Sequence, residues 1–332
     1  KRQHLDTYKS FEDSLYSVNE YNFEDIALKL FRFQAQNNEI YREYLRYLNC
    51  EQNAIRSLEE IPFLPISFFK TQSVKTGVWI AETEFTSSGT SLTSTSKHLV
   101  KDLDFYLRLS EQIFERFYGA SEKYHILALL PSYLERTGSS LIAMIQHLIA
   151  KSNSVHSGFY LNNYDELVQK IEFLKEGEKK IIIWGVSFAL LDLAEAFQLD
   201  LSQCIVMETG GMKGRRKEWT RQDLHGYLTH RFNVKAIHSE YGMTELFSQA
   251  YSSGGGYYKT PPWMKVMIRD INDPFSVVKG KVGAIKVIDL ANFYSCAFIE
   301  TQDLGRIDQN GMFEVLGRID NSDSRGCNLL VE

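Results

Sequence analysis

Between Tyr124 and His238, short apolar runs alternate with segments of helical periodicity, and this alternation limits the possible folds more than any other feature. The runs predicted as strands are Tyr124–Leu130, Lys180–Trp184, Cys204–Glu208 and Val234–His238. The predicted helices cover Ser139–Lys151, the segment that follows a turn at Gly185 and continues through Phe197, and Trp219–Phe232. Strands separated by helices connect through right-handed crossovers and lie parallel. The sequence therefore predicts an α/β fold with a doubly wound, mainly parallel sheet.

The two ends of the chain have other patterns. Apolar residues recur at helical spacing up to about Glu60, where the segment Ile61–Pro65 interrupts them with two prolines. From Val282 to Val315, short strand-like runs are separated by turn signals. We expect a helical lead-in over residues 1–60, an α/β core over 61–280 and a small antiparallel β subdomain over 281–332.

Composition excludes several classes of protein. The 332 residues are 44% hydrophobic and 24% charged with a net charge of −5, which is typical of a globular protein and gives no indication of nucleic-acid binding. The longest apolar run, Ile181–Leu191, is too short to span a bilayer, and Lys1–Asp13 has no apolar signal segment. The four cysteines are far apart, with no zinc-type pair. We expect a cytoplasmic protein that is not integral to a membrane.

A tract of hydroxyl residues, Thr86–Ser96, surrounds Gly89 and precedes Lys97. Backbone N–H groups and hydroxyls in such a loop can bind an oxyanion. It is not a Walker A loop, because no Gly-Lys-Ser/Thr follows at the required spacing. The alternative is a solvated Ser/Thr linker, and composition alone does not separate the two interpretations.

The second motif, His238–Glu245, directly follows a predicted strand. Ligands in open α/β sheets bind at the carboxyl ends of strands. Here Tyr241 offers a flat ring, Gly242 a permissive backbone, Thr244 a hydroxyl and Glu245 a possible Mg²⁺ ligand. An ordinary strand-to-helix turn remains the alternative.

The third motif has two parts, Phe298–Arg306 and Leu316–Cys327. A carboxylate such as Asp303 at the end of a strand can accept hydrogen bonds from both hydroxyls of a ribose. Taken singly, Asp303 and Arg318 are equally compatible with solvated turn residues.

In this order, the motifs resemble those of the adenylate-forming superfamily of acyl-CoA synthetases and adenylation domains, over roughly Ile61 to the end. The resemblance implies binding of ATP and Mg²⁺. By likeness, the phosphates would contact Ser87, Ser88, Gly89, Thr90 and Ser91. The other implied cofactor-binding residues are Gly210, Gly211, Tyr241, Gly242, Thr244, Glu245, Asp303 and Arg318, with Glu245 as metal ligand and with Thr244 and Glu245 as catalytic residues.

Within the superfamily, the sequence resembles the bacterial acyl-protein synthetases of the luminescence fatty-acid reductase system, and also the related phenylacetate-CoA ligases. The chain ends at Glu332, shortly after the Gly-Arg-Ile-Asp motif, so we expect the superfamily's mobile C-terminal domain to be absent. The resemblance implies that a fatty or other carboxylic acid is activated as acyl-AMP and then transferred to Cys327. An acyl-accepting reductase or a carrier protein would be the partner.

Three alternatives remain open from the sequence. The acyl acceptor could be CoA or a carrier protein. The chain could be a non-catalytic nucleotide-binding protein, because Gln302 replaces a family glycine and the usual C-terminal lysine is missing. Finally, Gly185–Ala189 is nearly a nucleophile elbow, so a serine hydrolase with Ser187 as nucleophile and with Glu208 and His238 as partners is possible.

Overall fold

The structure is a computed structural model that describes residues 2–87, 95–131, 138–210, 219–273 and 276–319. Among the predicted site residues, Ser87, Gly210, Tyr241, Gly242, Thr244, Glu245, Asp303 and Arg318 lie in this part of the chain. Ser88, Gly89, Thr90, Ser91, Gly211 and Cys327 lie outside the described residues, and their roles remain predictions.

The lead-in is helical, as its periodicity predicts. Its three helices are α1 (Arg2–Leu15), α2 (Phe23–Asn37) and α3 (Glu39–Tyr47). Helix α2 buries Leu30, Phe31 and Gln34 on one face. The Gln34 side chain donates to the carbonyl of Asn292 at 2.9 Å and accepts from the backbone of Ala297 at 2.9 Å. The lead-in is therefore joined to the far end of the chain by buried hydrogen bonds as well as by apolar packing.

A six-stranded sheet forms the centre of the molecule, with strand order β5-β4-β6-β7-β8-β9. Its strands are β4 (Tyr124–Leu129), β5 (Gly158–Tyr160), β6 (Lys180–Val186), β7 (Ile205–Thr209), β8 (His238–Tyr241) and β9 (Ala250–Ser252). All neighbouring strands are parallel except β9, which runs antiparallel to β8. The helices between them are α6 (Ser140–Lys151), α7 (Tyr164–Leu174), α8 (Ser187–Ala196) and α9 (Arg221–Phe232). The predicted alternation of strands and helices is confirmed.

Two local predictions in this sheet were wrong. The fourth strand is His238–Tyr241 rather than Val234–His238, because α9 ends at the left-handed Asn233 and the apolar residues that follow are buried in a connection. Gly185 lies inside β6 rather than in a turn. A Cβ atom there would be 2.7 Å from Leu190 Cδ2, so the glycine lets α8 pack closely over the strand.

The second sheet is antiparallel, with strand order β10-β14-β13-β12-β11. Its strands are β10 (Tyr257–Tyr258), β11 (Met264–Arg269), β12 (Gly283–Asp289), β13 (Phe298–Ile307) and β14 (Phe313–Arg318), and β1 (Leu64–Pro65) pairs parallel with β13. The sheet therefore begins earlier in the chain than the pattern from Val282 onward predicts. The division of the chain at residues 60 and 280 remains a prediction.

The remaining elements lie, in chain order, between the helical lead-in and the first strand of the central sheet. They are α4 (Phe68–Thr71), the hairpin of β2 (Thr83–Thr86) and β3 (Lys97–Val100), and α5 (Leu103–Tyr118). Helix α5 covers one face of the central sheet, where Phe114 stacks 6.1 Å from Trp184. In the described part of the chain, no helix combines the length and the apolar character needed to cross a membrane.

Candidate functional site

The carboxyl end of β8 meets the second sheet, and the predicted site residues lie around this junction. Tyr241, the last residue of β8, has its ring 5.2 Å from Phe313 of β14. Its hydroxyl donates a hydrogen bond to Asp303 Oδ2 on β13 at 2.8 Å. The edge where an open α/β sheet binds ligands is therefore in direct contact with the antiparallel sheet.

Asp303 links Tyr241 to Arg318. Asp303 and Arg318 are paired residues of β13 and β14, and Arg318 Nε donates to Asp303 Oδ1 at 3.3 Å. The Asp303 carboxylate is buried, whereas the Arg318 side chain is 80% exposed, so this end of the junction faces solvent. Burial, together with the neighbouring Asp303 charge, raises the pKa of Tyr241 well above its usual value, so the phenol stays protonated. The three residues form one connected polar wall.

The two ends of the hydroxyl tract are held together beside Glu245. Ser87 N donates to Ser96 O at 3.0 Å, and Ser96 N donates to Ser87 Oγ at 2.9 Å. The Ser96 side chain also lies beside the Glu245 carboxylate, where it opposes the rise in the pKa of Glu245. The base of the tract and the turn after β8, which are far apart in sequence, therefore meet at Glu245.

The turn that carries Thr244 and Glu245 is anchored from three other elements. His98 Nδ1 donates to the carbonyl of Thr244 at 2.8 Å, and Asn292 Nδ2 donates to the carbonyl of Glu245 at 2.8 Å. Asp289 Oδ2 accepts from the backbone N–H groups of Phe247 and Ser248, each at 2.9 Å. Burial lowers the pKa of His98 to about 4, so this histidine is a neutral anchor. These anchors give the turn a preorganised geometry.

Glu245 has the properties of a ligand for a hard cation. Burial raises the pKa of its carboxyl and Asp303 adds to the rise, while Ser96 and Arg318 oppose it. A nearby cation would favour the charged form. Mg²⁺ with a nucleotide takes one or two carboxylates, and phosphate oxygens complete its coordination. The described residues contain no group of three or more His, Cys, Asp or Glu that could hold a metal by themselves.

Gly210 directly follows β7, with φ of +74°. Its carbonyl accepts a weak hydrogen bond from Ser187 Oγ at 3.4 Å. Thr209 and Glu240 are paired residues of β7 and β8, which places Gly210 and Tyr241 side by side at the sheet edge. The structure thus brings together the described members of the predicted set.

A surface cleft of about 310 Å³ lies next to the base of the hydroxyl tract. It is lined mainly by β2, α6 and the start of α5, with Phe85, Leu103, Ile142 and Ala143 as its apolar side chains. Phe85 also packs against Tyr106 at 4.8 Å.

The hydrolase alternative is wrong on this geometry. Ser187 Oγ donates to Glu208, and among the described residues no histidine lies within hydrogen-bond distance of Ser187. His238 Nδ1 is instead 3.1 Å from the hydroxyl of Tyr118. The predicted hydrolase needs His238 as the base beside Ser187, and His238 does not contact it.

Several residues of the site were missed by sequence reasoning. The anchors lie in two segments that are far from β8 in the sequence, Ser96 and His98 at β3 and Asp289 and Asn292 at the end of β12, so no local pattern groups them with Glu245. Glu240 was also overlooked, although a glutamate that directly precedes Tyr241 at the end of a strand is a usable signal.

Comparisons with known proteins identify the family of the chain and the enzymes that share its fold. The sequence model described as "Acyl-protein synthetase, LuxE" matches residues 145–332, more than half of the chain. The chain belongs to the LuxE acyl-protein synthetase family. A relative from Aliivibrio fischeri, the long-chain-fatty-acid–luciferin-component ligase, is 21% identical, and the alignment covers 99% of this chain and 95% of that protein.

Solved structures of adenylate-forming enzymes share the fold of this LuxE family member. A 2-hydroxyisobutyryl-CoA ligase complexed with its acyl-AMP and CoA is 12% identical, with a TM-score of 0.66 over 91% of this chain and 70% of that one. ATP-bound MatB from Rhodopseudomonas palustris is 17% identical, with a TM-score of 0.53 over 71% of this chain. The match spans about half of MatB, 47% of its length. The predicted resemblance to adenylate-forming enzymes and to acyl-protein synthetases is confirmed.

Proposed function

We propose that the chain activates a carboxylic acid, a long-chain fatty acid, with ATP to form acyl-AMP and then transfers the acyl group to its own Cys327. The observation that carries this proposal is the convergence of Tyr241, Asp303, Arg318 and Glu245 at one sheet edge, beside the base of the hydroxyl tract. Family membership and the name of the Aliivibrio fischeri relative support the choice of an acyl-protein ligase and of a fatty acid.

In the first half-reaction, the carboxylate attacks the α-phosphate of ATP, and pyrophosphate leaves with the electrons of the broken P–O bond. Adenine stacks on Tyr241 between β8 and Gly210, and the ribose hydroxyls donate to Asp303, which Arg318 holds in place. Thr244 and the hydroxyl tract provide donors to the phosphates. Glu245 would hold Mg²⁺, which would stabilise the charge that develops on the phosphate oxygens.

The anchors of the turn explain why these groups act together. Preorganised donors stabilise a transition state without reorganising when it forms. His98 and Asn292 fix the backbone on both sides of the Thr244–Glu245 peptide, so neither side chain has to be ordered by the nucleotide.

In the second half-reaction, a thiolate attacks the carbonyl of acyl-AMP, and AMP leaves. The cysteines of the described part are poor nucleophiles, because burial raises the pKa of Cys296 to about 12 and that of Cys204 to about 11, and also raises the pKa of Cys50. Cys327 follows Arg325 in the sequence, and a cationic neighbour favours a thiolate. A reductase or a carrier protein in the cytoplasm would then accept the acyl group.

The cleft beside Phe85 is the place that we assign to the hydrocarbon chain. Its apolar lining and its position next to the hydroxyl tract suit a chain whose carboxyl reaches the sheet edge. Ala143→Phe narrows this cleft, so the preferred acid should become shorter by several carbons, while KM for ATP stays unchanged. An unchanged chain-length preference would remove the cleft from the proposal.

The decisive experiment is ATP–pyrophosphate exchange with a panel of fatty and aryl acids, followed by intact mass measurement of the protein after reaction with the best acid. We expect acid-dependent exchange and a mass increase of one acyl group. Cys327→Ser should retain exchange and lose the mass increase, and the matched control Cys50→Ser should retain both. If the protein catalyses exchange but the acyl group appears only on CoA or on a carrier protein, then Cys327 is not the acceptor. If the protein binds ATP but catalyses no exchange with any acid, it is a non-catalytic nucleotide-binding protein.

A further inference from the structure

Glu240 carries a buried carboxyl at the edge of the central sheet where we place the reaction, and the two proposed half-reactions do not use it. It precedes Tyr241 in β8, and successive side chains of a strand point to opposite faces of the sheet. Tyr241 faces Asp303 and the second sheet. Glu240 therefore lies on the other face, which it shares with its paired residues Thr209 of β7 and Tyr251 of β9.

Only one side of this carboxyl is satisfied within the described part of the chain. Thr209 Oγ1 donates to Glu240 Oε2 at 2.5 Å, and Oε1 has no hydrogen-bond partner among the described residues. Oε1 lies against Gly242, where a Cβ atom would be 2.4 Å away. The residue is only 7% exposed, but Oε1 is not among the polar atoms that are fully closed off from solvent, so this edge of the carboxyl is open to a ligand.

Other unpartnered polar atoms surround the same position. The Tyr251 hydroxyl and Gln249 Oε1 are buried without a partner, and Gln249 Cγ would be 3.4 Å from a Cβ atom on Gly242. A buried polar group without a partner is costly, and several of them together indicate a ligand that completes their hydrogen bonds.

From this geometry we infer that Glu240 is a substrate-contacting residue whose Oε1 edge hydrogen-bonds the carboxyl group of the organic acid that is to be adenylated. This inference rests on the proposed function. Gly242 begins the turn that leads to Thr244 and Glu245, so a carboxyl bound at Oε1 lies next to the groups that we assign to the phosphates. No covalent change of Glu240 is involved.

The protonation state of Glu240 makes this contact dependent on pH. Burial raises the pKa of Glu240 to about 7, the Glu208 charge adds to the rise, and Thr209 opposes it. The titratable groups that interact with or flank it are Tyr106 of α5, Glu208 of β7, Tyr251 of β9, Tyr258 of β10 and His238 of β8. Burial keeps these tyrosines protonated and lowers the pKa of His238, so none of them supplies a cation near pH 7.

Below pH 7 the Glu240 carboxyl is neutral and can donate its O–H to the substrate carboxylate. Above pH 7 it is an anion and repels the same group. The substrate carboxyl, with an ordinary pKa of roughly 4 to 5, stays ionised throughout this range. The neutral fraction of a group with pKa 7 falls about tenfold between pH 6 and pH 8, and KM for the acid should rise by about the same factor.

The test is the KM for dodecanoate in ATP–pyrophosphate exchange between pH 6 and pH 8, for the wild type and four variants. Glu240→Gln keeps a neutral donor, so we expect a KM near the wild-type value at pH 6 and no pH dependence. Glu240→Ala should have a KM raised about tenfold at pH 6. Thr209→Val removes the hydrogen bond that lowers the pKa, so the midpoint should move to higher pH. Glu111→Gln on α5 is the matched control and should keep the wild-type profile.

A wild-type pH profile in Glu240→Gln, or a wild-type KM in Glu240→Ala, would overturn the inference. If the wild type shows no acid-dependent exchange, it is the proposed function that fails. Calorimetric binding of dodecanoate to the same proteins at pH 6 and pH 8 then decides on Glu240 separately, because a dissociation constant with no response to Glu240→Gln and Glu240→Ala overturns the contact.

Discussion

Glu208 and Glu240 lie at the ends of neighbouring strands, on opposite faces of the sheet, and both are almost completely buried. Glu208 has Arg221 Nη1 at 3.2 Å and His225 Nε2 at 3.6 Å, and it accepts a hydrogen bond from Ser187. Burial favours its neutral form, but these contacts outweigh burial and lower its pKa. Glu240 has one hydroxyl as partner, and burial raises its pKa to about 7.

The difference shows that hydrogen-bond and charge partners, rather than depth, set the charge of a buried carboxyl in this sheet. Arg221 Nη1 also donates to the hydroxyl of Tyr258 at 2.6 Å. Glu208 and its partners therefore connect β7, α8, α9 and the second sheet. The fold itself therefore accounts for a buried, charged carboxylate at Glu208. Within the described ranges Glu240 has no such set of partners, and a bound ligand accounts better for its buried carboxyl.

The largest expected effect is on the Glu208 side. Glu208→Gln leaves Arg221 without its buried partner and should lower the free energy of unfolding by about 3 kcal/mol at pH 7. Because the folded-state pKa of Glu208 is depressed, this stabilisation is present above the unfolded-state pKa and is lost as pH falls through the folded-state pKa. Urea unfolding at pH 7 and at successively lower pH measures it. An equal loss at every pH would contradict the assignment of a charged Glu208.

Gly242→Ala tests how closely Glu240 packs. The added Cβ atom would be 2.4 Å from Glu240 Oε1, so the carboxyl must move, at a cost of about 2 kcal/mol in unfolding free energy. In the double variant with Glu240→Ala, the loss of unfolding free energy should be clearly smaller than the sum of the losses in the two single variants. Strict additivity in the double-mutant cycle would show that the glycine and the carboxyl are not in contact.

Glu240→Gln should change stability in the opposite direction from Glu208→Gln. The folded-state pKa of Glu240 is raised to about 7, so its stabilising contribution is present below the unfolded-state pKa and is lost as pH rises through 7. At pH 8 the variant should be more stable than the wild type by about 1–2 kcal/mol, with little difference near pH 4. Thermal unfolding across this range is the measurement, and a variant that is less stable at pH 8 would indicate a hidden cation beside Glu240.

The smallest effect on stability is expected from Arg318→Ala. Its side chain is 80% exposed, so loss of the ion pair with Asp303 should cost less than about 0.5 kcal/mol. KM for ATP should nevertheless rise several-fold, because Arg318 orients the carboxylate that we assign to the ribose. Exchange kinetics with varied ATP provide the check, and an unchanged KM would separate Arg318 from the nucleotide.

The sequence was sufficient for the parts of this molecule that depend on local pattern. The alternation of strands and helices in the core, the helical lead-in and the likeness to adenylate-forming enzymes could all be predicted. The pairing of Leu64 with Ile299 could not, because it joins two distant segments that have no local signal for each other. The displaced β8 has the same origin, since its polar residues are buried by the site while the apolar residues before it fill a connection.

The site likewise contains residues that local motifs predicted and residues that only the folded chain shows. Tyr241, Glu245, Asp303 and Arg318 were predicted from motifs, and three of them are joined directly by hydrogen bonds. The contrast between Glu208 and Glu240 was not predictable, because Arg221 and His225 beside Glu208 come from α9, and only the folded chain shows which glutamate they reach.

The most direct test of the account is a crystal structure of the protein with a non-hydrolysable acyl-sulfamate analogue of acyl-AMP. We predict that the adenosine lies against Tyr241 with its ribose hydroxyls on Asp303, and that the acyl carbonyl lies within hydrogen-bond distance of Glu240 Oε1 on the other side of β8. An analogue bound away from Tyr241 and Asp303, or one whose acyl carbonyl lies on the Asp303 side of the strand, would contradict it.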